Sequence, residues 1–491
     1  FAIAFLRDVA IDQTENAITP RDVIVVAAAS DGQFIEVEGV KLAGSRGLAG
    51  TSLYAPPNWA PEAERWRFQL GFLIRFVLSA QRDFTRLVRD ASWKEHKPVY
   101  RNPESHWYQR TYGLFNGHSA FGDDWLPISE WIEALLFGLL RWPGCPVSKE
   151  VAAMLDSKTS ALRALEGRLA DLQSLQGKSA LIIPLLLPSP IDSATDRPFR
   201  ACVIQTVYPG QDSDFDPDDL TFNNGSSRTK HRRHLSAALA SVQSALALRE
   251  THKGRDGRLD LLILPELSVH PDDVRTHLIP FARTFRTTIL AGLTFERLGS
   301  SPLLVNSALW IIPTYDPGRG WKTLVRRQGK ANLAPEEIAL NKSTPKIRGF
   351  RPCQWLIGYP WSSNKSTDPL WMTSSICFDA TDIQLAADLK NKSDIFIVPS
   401  LNQDVNTYDQ LAHSLHYNMF QMVVVANNGT YGGSNAYAPF SKSYLRQVFH
   451  LHGQPQASIA FFEIDNIRDF KSRKPNGGIQ GGYKFKPPPA G

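Results

Sequence analysis

The eight residues 373–380, TSSICFDA, read as a buried strand that ends on a cysteine at a turn. Ser374, Ser375 and Ile376 lead into Cys377, then come Phe378 and Asp379, and the spacing of Ile383, Leu385, Ala386 and Leu389 predicts a helix directly after. A thiol at a strand-to-turn junction is held by rigid backbone, and the amide of Phe378 is placed to face an oxyanion there. The alternative is a small apolar core residue, because free cysteines are among the most buried side chains. Two further segments bear on that choice. Residues 260–267, DLLILPEL, form an apolar run ending in Pro265 and Glu266. A carboxylate standing where a buried strand stops can have its pKa raised into the range of a general base. In residues 329–337, GKANLAPEE, Lys330 is followed at fixed offsets by Leu333, Pro335 and Glu337. Taken singly, a glutamate at a strand end is usually a solvated cap and a loop lysine a surface charge.

In the order Glu266, Lys330, Cys377 these segments resemble the nitrilase superfamily of carbon-nitrogen hydrolases. The flanks are similar as well. Residues 200–206 (RACVIQT) look like the family's opening strand, Asn306, Ser307 and Ala308 like its mid-domain strand, and Lys330-x-x-Leu333-x-Pro335-x-Glu337 like its lysine loop. Residues 413–429, ending VVVANNG, are similar to the helix and strand after the cysteine, and Gly432, Gly433, Ser434 and Phe462, Glu463, Ile464, Asp465 to the closing strands. The resemblance spans residues 198–470 and implies an α/β fold, a nitrilase-like α-β-β-α sandwich, preceded here by a mostly helical N-terminal region.

It also implies roles. Cys377 is the expected nucleophile, Glu266 its general base, and Lys330 with the Phe378 backbone amide the oxyanion hole. Glu337 is the expected second glutamate, orienting the lysine, with Glu336 one position off the spacing. Lys342 competes with Lys330 but lacks the Leu, Pro and Glu offsets. Asn402, beyond the apolar run DIFIVPS, is a candidate for binding substrate, with a loop cap as the equal alternative. The implied reaction is cleavage of an amide, nitrile or carbamoyl C–N bond in a small molecule through a cysteine acyl-enzyme. No metal or organic cofactor is implied, and a homo-oligomer is. Many family members carry histidine where this chain has Asn332, and arginine and proline where it has Ala380, Thr381 and Asp382. No attacking or stabilising group is lost by these departures, but pocket walls come from those loops, so substrate class does not carry over.

With 491 residues the chain is long enough for two to four domains, and a net charge of +6 permits nucleic-acid contact without arguing for it. Cys145, Cys202, Cys353 and Cys377 form no CxxC pair, which excludes the usual zinc patterns and a disulfide framework and suits a reducing cytoplasm. The apolar run 181–187 is broken by Pro184 and too short to span a bilayer. FAIAFLR at the start lacks the basic opening and length of a signal peptide. The expectation is a soluble cytoplasmic protein with no membrane partner. Beginning at Phe1, it reads as a processed product or a piece of a longer chain.

Four regions are expected: a mixed, mostly helical 1–146, a helix and proline-rich linker over 147–197, the nitrilase-like 198–470, and an extended basic Gly/Pro tail 471–491. In the first, residues 23–28 and 33–40 pair around Ser30, Asp31 and Gly32. The stretch 44–50, GSRGLAG, reads as a flexible loop because no GKS or GKT follows. Residues 61–91 predict a long amphipathic helix whose arginines fit a solvated face, a nucleic-acid surface being the alternative. Phe121, Gly122, Asp123 and Asp124 match the aromatic-x-Asp-Asp metal turn of reverse transcriptases, yet lack its flanking apolar strands and read as a surface turn. Leu155, Leu162 and Leu169 repeat every seven along a helix expected from Ser148 to about residue 176.

In the third region the alternating aspartates 212, 214, 216, 218 and 219 put Pro217 where a calcium loop needs glycine, so an exposed acidic loop is expected. The patch Lys230, His231, Arg232, Arg233 and His234 opens the next helix, with pairing to that loop as its expected role. Two other functions stay open: a nitrilase-like assembly or effector module, similar in layout to bacterial antiphage reverse transcriptase-nitrilase fusions, and nucleic-acid binding through the N-terminal region.

Overall fold

The computed structural model describes residues 2–8, 23–28, 35–41, 61–64, 66–67, 70–71, 74, 130–140, 148–187, 198–253, 258–297, 303–316, 320–341, 347–361, 368–452, 455–465, 467–473 and 485–486. The turn at 30–32, the stretch 44–50, the Phe121–Asp124 motif, most of the 61–91 helix, Lys342, the prolines 188 and 190 and most of the tail lie outside these residues. The chain divides into two compact units, one up to Gln176 and one from Gly177.

In the first unit the strands Val23–Ala28 and Ile35–Lys41 pair antiparallel. Leu6, Trp66, Leu70, Ile74, Leu135, Leu136, Leu139, Val151, Leu155 and Leu165 share one apolar core. The helix expected from Ser148 to about residue 176 is two helices, Lys149–Met154 and Lys158–Ser174. Serine chemistry breaks it: Ser148 and Ser157 each accept a hydrogen bond from the amide three residues on, so each caps a new helix start. The break ends the heptad seam, and Leu169 is left exposed.

The second unit is an α/β fold. Among its described residues six strands form one sheet, in the order Gly320–Gly329, Ser307–Asp316, Thr288–Leu293, Leu261–Val269, Phe199–Gln205, Ser458–Ile464. Seven form the other, in the order Gln447–Leu451, Ser434–Tyr437, Met422–Ala426, Ile395–Pro399, Leu370–Ser374, Gln354–Tyr359, Ile182–Leu186. The central strands of both run parallel and are buried on both faces, which is why they read as continuous apolar runs such as LLIL and MVVVA.

The sheets pack face to face. Ala201, Val203, Leu261, Ile263, Trp310 and Ile312 of one share a core with Leu356, Ile357, Met372, Ile397 and Val424 of the other. Outside the first sheet, Cys202, Ile204, Leu262 and Ile289 meet Leu235, Leu239, Val242 and Leu246 of the helix Gly225–Lys253. Outside the second lie the helices Ile383–Leu389 and Val405–Met419, with Leu385, Leu389, Ala412, Leu415 and Met419 turned inward. The result is four layers, α-β-β-α.

Ile182–Leu186, assigned by sequence to the linker, is instead an edge strand pairing parallel with Gln354–Tyr359. Proline lacks the amide a central strand needs, so Pro184 is tolerated only at such an edge. The acidic loop folds on itself: Asp214 accepts from the amides of Gly210 and Gln211, and Asp219 from those of Asn223 and Asn224. Of the basic patch Lys230 approaches it, 3.9 Å from Asp214, and the His234 ring also feels that carboxylate. Arg232 joins Arg228 on the buried Asp273 instead, so the expected pairing holds for one cation. Among the described residues no helix is long and apolar enough to cross a membrane, and no group of three or more His, Cys, Asp or Glu side chains is placed to hold a metal ion.

Candidate active site

Glu266 was expected at the end of its strand, but the strand runs on to Val269. Pairing with Thr288–Leu293 is regular through Leu264 opposite Ala291 and resumes at Val269 opposite Leu293. Residues 265–268 therefore bulge out opposite Gly292 alone, a device that re-aims a side chain where a flat ladder could not. Leu267 sits at φ +56°, strained for a branched residue. The Ser268 hydroxyl donates to the Pro265 carbonyl at 2.7 Å, and the buried His231 ring meets the Leu267 carbonyl at 3.2 Å.

The bulge needs its glycine. A Cβ at Gly292 would stand 2.3 Å from the Pro265 carbonyl oxygen and 2.4 Å from Glu266 Cα, both backbone atoms that cannot swing aside. Gly292→Ala is expected to cost about 1–3 kcal/mol by overpacking and to shift Glu266. Urea unfolding checks the first part; a variant as stable as the parent would show that the close approach is not needed.

Lys330 follows the strand Gly320–Gly329, and both its backbone groups are fixed, the amide to the Asn306 carbonyl and the carbonyl to the Phe350 amide. Its ammonium lies 2.9 Å from Glu266 Oε1 and 2.8 Å from Glu337 Oε2, with Lys330 only 1% exposed. Burial opposes that charge, but the two carboxylates beside it hold the lysine pKa well above its ordinary value. Glu337 is buried at the third position of the helix Pro335–Leu340, where its carboxylate also takes the Ala334 amide, whereas Glu336 points to solvent. That capping geometry is what the Lys-to-Glu spacing encodes.

Cys377 opens a short 3-10 turn, Cys377–Thr381, separated by two residues from the strand Leu370–Ser374. It is buried and adopts φ +45°, a region L-residues populate only under constraint. The Ser400 and Tyr408 hydroxyls approach its sulfur at 3.6 and 3.5 Å. Leu401, next to Ser400 in the chain, donates its amide to Glu266 Oε2 at 2.9 Å. Consecutive residues at the end of the Ile395–Pro399 strand thus touch the thiol and the carboxylate, which brings the ends of both sheets together. Burial and then the Glu266 charge push the Cys377 thiol up to about 12, with Lys330 pulling the other way.

Phe378 lies in the first turn, where helical amides lack a carbonyl behind them, and no described residue accepts from its amide. Asn402 bonds its side chain both ways with the Asp404 backbone, and its backbone amide goes to Asn427 Oδ1. It thereby closes the turn that precedes the Val405–Met419 helix, the loop-cap alternative.

Three other groups were not expected from the sequence. Asn306 donates from one Nδ2 to Glu266 Oε1 and to Glu337 Oε1, both at 2.8 Å, so one amide ties the two carboxylates that flank the lysine. Asp379, fully buried, accepts from the amides of Ala331 and Asn332 at 2.8 and 2.7 Å and from Arg351 at 3.2 Å. It straps the lysine loop to the cysteine turn. Burial raises the pKa of this carboxyl and Arg351 opposes the rise. Tyr408 is the third. Asn306 stood within the strand match, and Asp379 directly behind the cysteine, so each left a signal of position but none of partner.

A buried thiol beside a carboxylate, with an ammonium fixed between two carboxylates, can move a proton off sulfur and stabilise an oxyanion. No protein-family model matches this sequence, and no curated protein matches it. Among solved structures it is similar to a double mutant of the amidase from Nesterenkonia sp. AN1 in complex with acrylamide, at 13% identity and TM-score 0.36 over 58% of this chain and 97% of that one. A single mutant of the same amidase, described as from the nitrilase superfamily, gives 13% and 0.35 over 59% and 96%, and one in complex with butyramide 15% and 0.35 over 55% and 93%.

Proposed function

We propose that the second unit is a thiol hydrolase that cleaves the C–N bond of a small amide or nitrile, with Cys377, Glu266, Lys330 and Glu337 as its working groups. The observation that carries this reading is Lys330, sealed from water between Glu266 and Glu337 and acting electrostatically on Cys377. Taking three charges out of water costs several kcal/mol each, and apolar packing of the same volume is often as stable or more so. Such a trio is therefore poorly explained as a structural device, and ionic clusters of this kind concentrate at catalytic sites.

For an amide, the Cys377 proton passes to Glu266 as the sulfur bonds to the carbonyl carbon. Lys330 Nζ and the Phe378 amide hold the oxyanion. On collapse the C–N bond breaks and the leaving nitrogen takes the proton back from Glu266, leaving a thioester. Water then adds to that carbon, giving one proton to Glu266; the C–S bond breaks with its electron pair on sulfur, which takes that proton from Glu266 as the acid departs. Glu337 keeps Lys330 charged and in place throughout.

Ammonia release from a panel of short aliphatic amides and nitriles tests the proposal. Turnover of at least one compound by the parent, absent in Cys377→Ala, is expected. Turnover that survives in Cys377→Ala would falsify the role given to the thiol.

A further inference from the structure

Tyr408 has no part in the scheme above, yet its hydroxyl lies 3.5 Å from Cys377 Sγ, with the Ser400 hydroxyl at 3.6 Å. Each hydroxyl can donate, and the sulfur is the acceptor. All three residues are buried, so the contacts are not diluted by exchange with solvent. Tyr408 enters from the first turn of the Val405–Met419 helix and Ser400 from the end of the Ile395–Pro399 strand, so the donors reach the sulfur from two separate elements. Burial, and then the negative charge of Cys377, hold the phenol pKa far above neutrality, so Tyr408 keeps its proton and acts as a donor only. The charged groups acting on the sulfur are Glu266, which opposes a thiolate, and Lys330, which favours it. Lys330 Nζ is bonded to the two carboxylates and acts on the sulfur only through its field, whereas the two hydroxyls are aimed at the sulfur itself.

We propose that Tyr408, assisted by Ser400, is a catalytic residue that holds the sulfur's negative charge; this rests on the hydrolase reading above. The charge is present twice. In acylation the S–H bond breaks, its proton goes to Glu266, and the electron pair left on sulfur forms the S–C bond. In deacylation water oxygen bonds to the thioester carbon, its proton goes to Glu266, and the C–S bond breaks with its pair returning to sulfur, which then takes the proton from Glu266. Neither hydroxyl gives up its proton. A neutral thioester sulfur is a weak acceptor, so the two bonds are strong only while charge is present.

The test is the rate of iodoacetamide alkylation at Cys377, read by mass spectrometry of its peptide at one fixed alkaline pH in the full chain. Tyr408→Phe is expected to slow the reaction about 10-fold, the equivalent of one pKa unit, and Ser400→Ala by a smaller factor. Tyr437→Phe removes another hydroxyl packed against the same helix, one that bonds Asp409 rather than sulfur, and is expected to change nothing. Circular dichroism identifies a variant that has unfolded; if Tyr408→Phe does, Ser400→Ala carries the test. An unchanged or faster rate in a folded Tyr408→Phe overturns this inference and leaves the hydrolase reading standing. A parent protein whose Cys377 never reacts sinks the hydrolase reading, and this inference with it.

Discussion

Lys330→Met is expected to lower the free energy of unfolding by about 3–5 kcal/mol, the typical cost of removing one partner from a buried ion pair. Methionine fills nearly the same volume, so the loss is electrostatic. It leaves Glu266 and Glu337 facing one another through Asn306 with no cation between them, and each retains only amide donors from Asn306, Leu401 and Ala334. Two carboxylates so placed repel one another with no cation to offset the repulsion. Arginine should not rescue the variant, because its planar fork is larger than the point charge the two oxygens enclose. Urea unfolding of parent and variant measures the difference; a loss below about 1 kcal/mol, the range of an exposed pair, would contradict the burial described.

Glu266→Gln is expected to reduce hydrolysis by about 10²- to 10⁴-fold, the usual contribution of a positioned general base, and also to lower stability, since it removes one charge of the buried pair with Lys330. Glutamine keeps the shape of the side chain and one acceptor oxygen but cannot take the thiol proton. The burial that pushes Cys377 up to about 12 makes that loss severe, since almost no thiolate forms unaided near neutral pH. The variant should recover part of its rate as pH rises, while the parent should not need to. A glutamine variant within threefold of the parent at neutral pH would place the base elsewhere.

The layered fold was legible where strands are buried on both faces. LLIL, IFIVP and MVVVA have no other stable location than the middle of a covered sheet. Ile182–Leu186 was not, because its proline argues against a strand and only the edge position of the finished sheet removes the objection. The split of the 148–176 helix was hidden for a similar reason. Ser157 is as compatible with a helix interior as with a cap until Leu155 and Leu165 find their core.

At the site, the spacing from Lys330 to Glu337 had local meaning, a lysine followed by a helix whose third residue faces back. That much could be read from eight residues. The bulge at 265–268 could not, because it arises from a mismatch between two strands and Gly292 lies well beyond it in sequence. Nor could Asp379, whose partners are two backbone amides of a loop far upstream. Backbone amides carry no sequence signature. Asn402 shows the converse: polar, well placed in sequence, and occupied with its own turn.

The proposed hydrolase works only if Cys377 forms a covalent acyl intermediate with Glu266 as its base. Intact-protein and peptide mass spectrometry after rapid acid quench of a turnover mixture tests it most directly. An acyl adduct on the Cys377 peptide is expected in the parent, releasable by hydroxylamine, and none in Glu266→Gln quenched at the same early time. Sustained turnover with no adduct at Cys377, or an adduct on another cysteine, would contradict it.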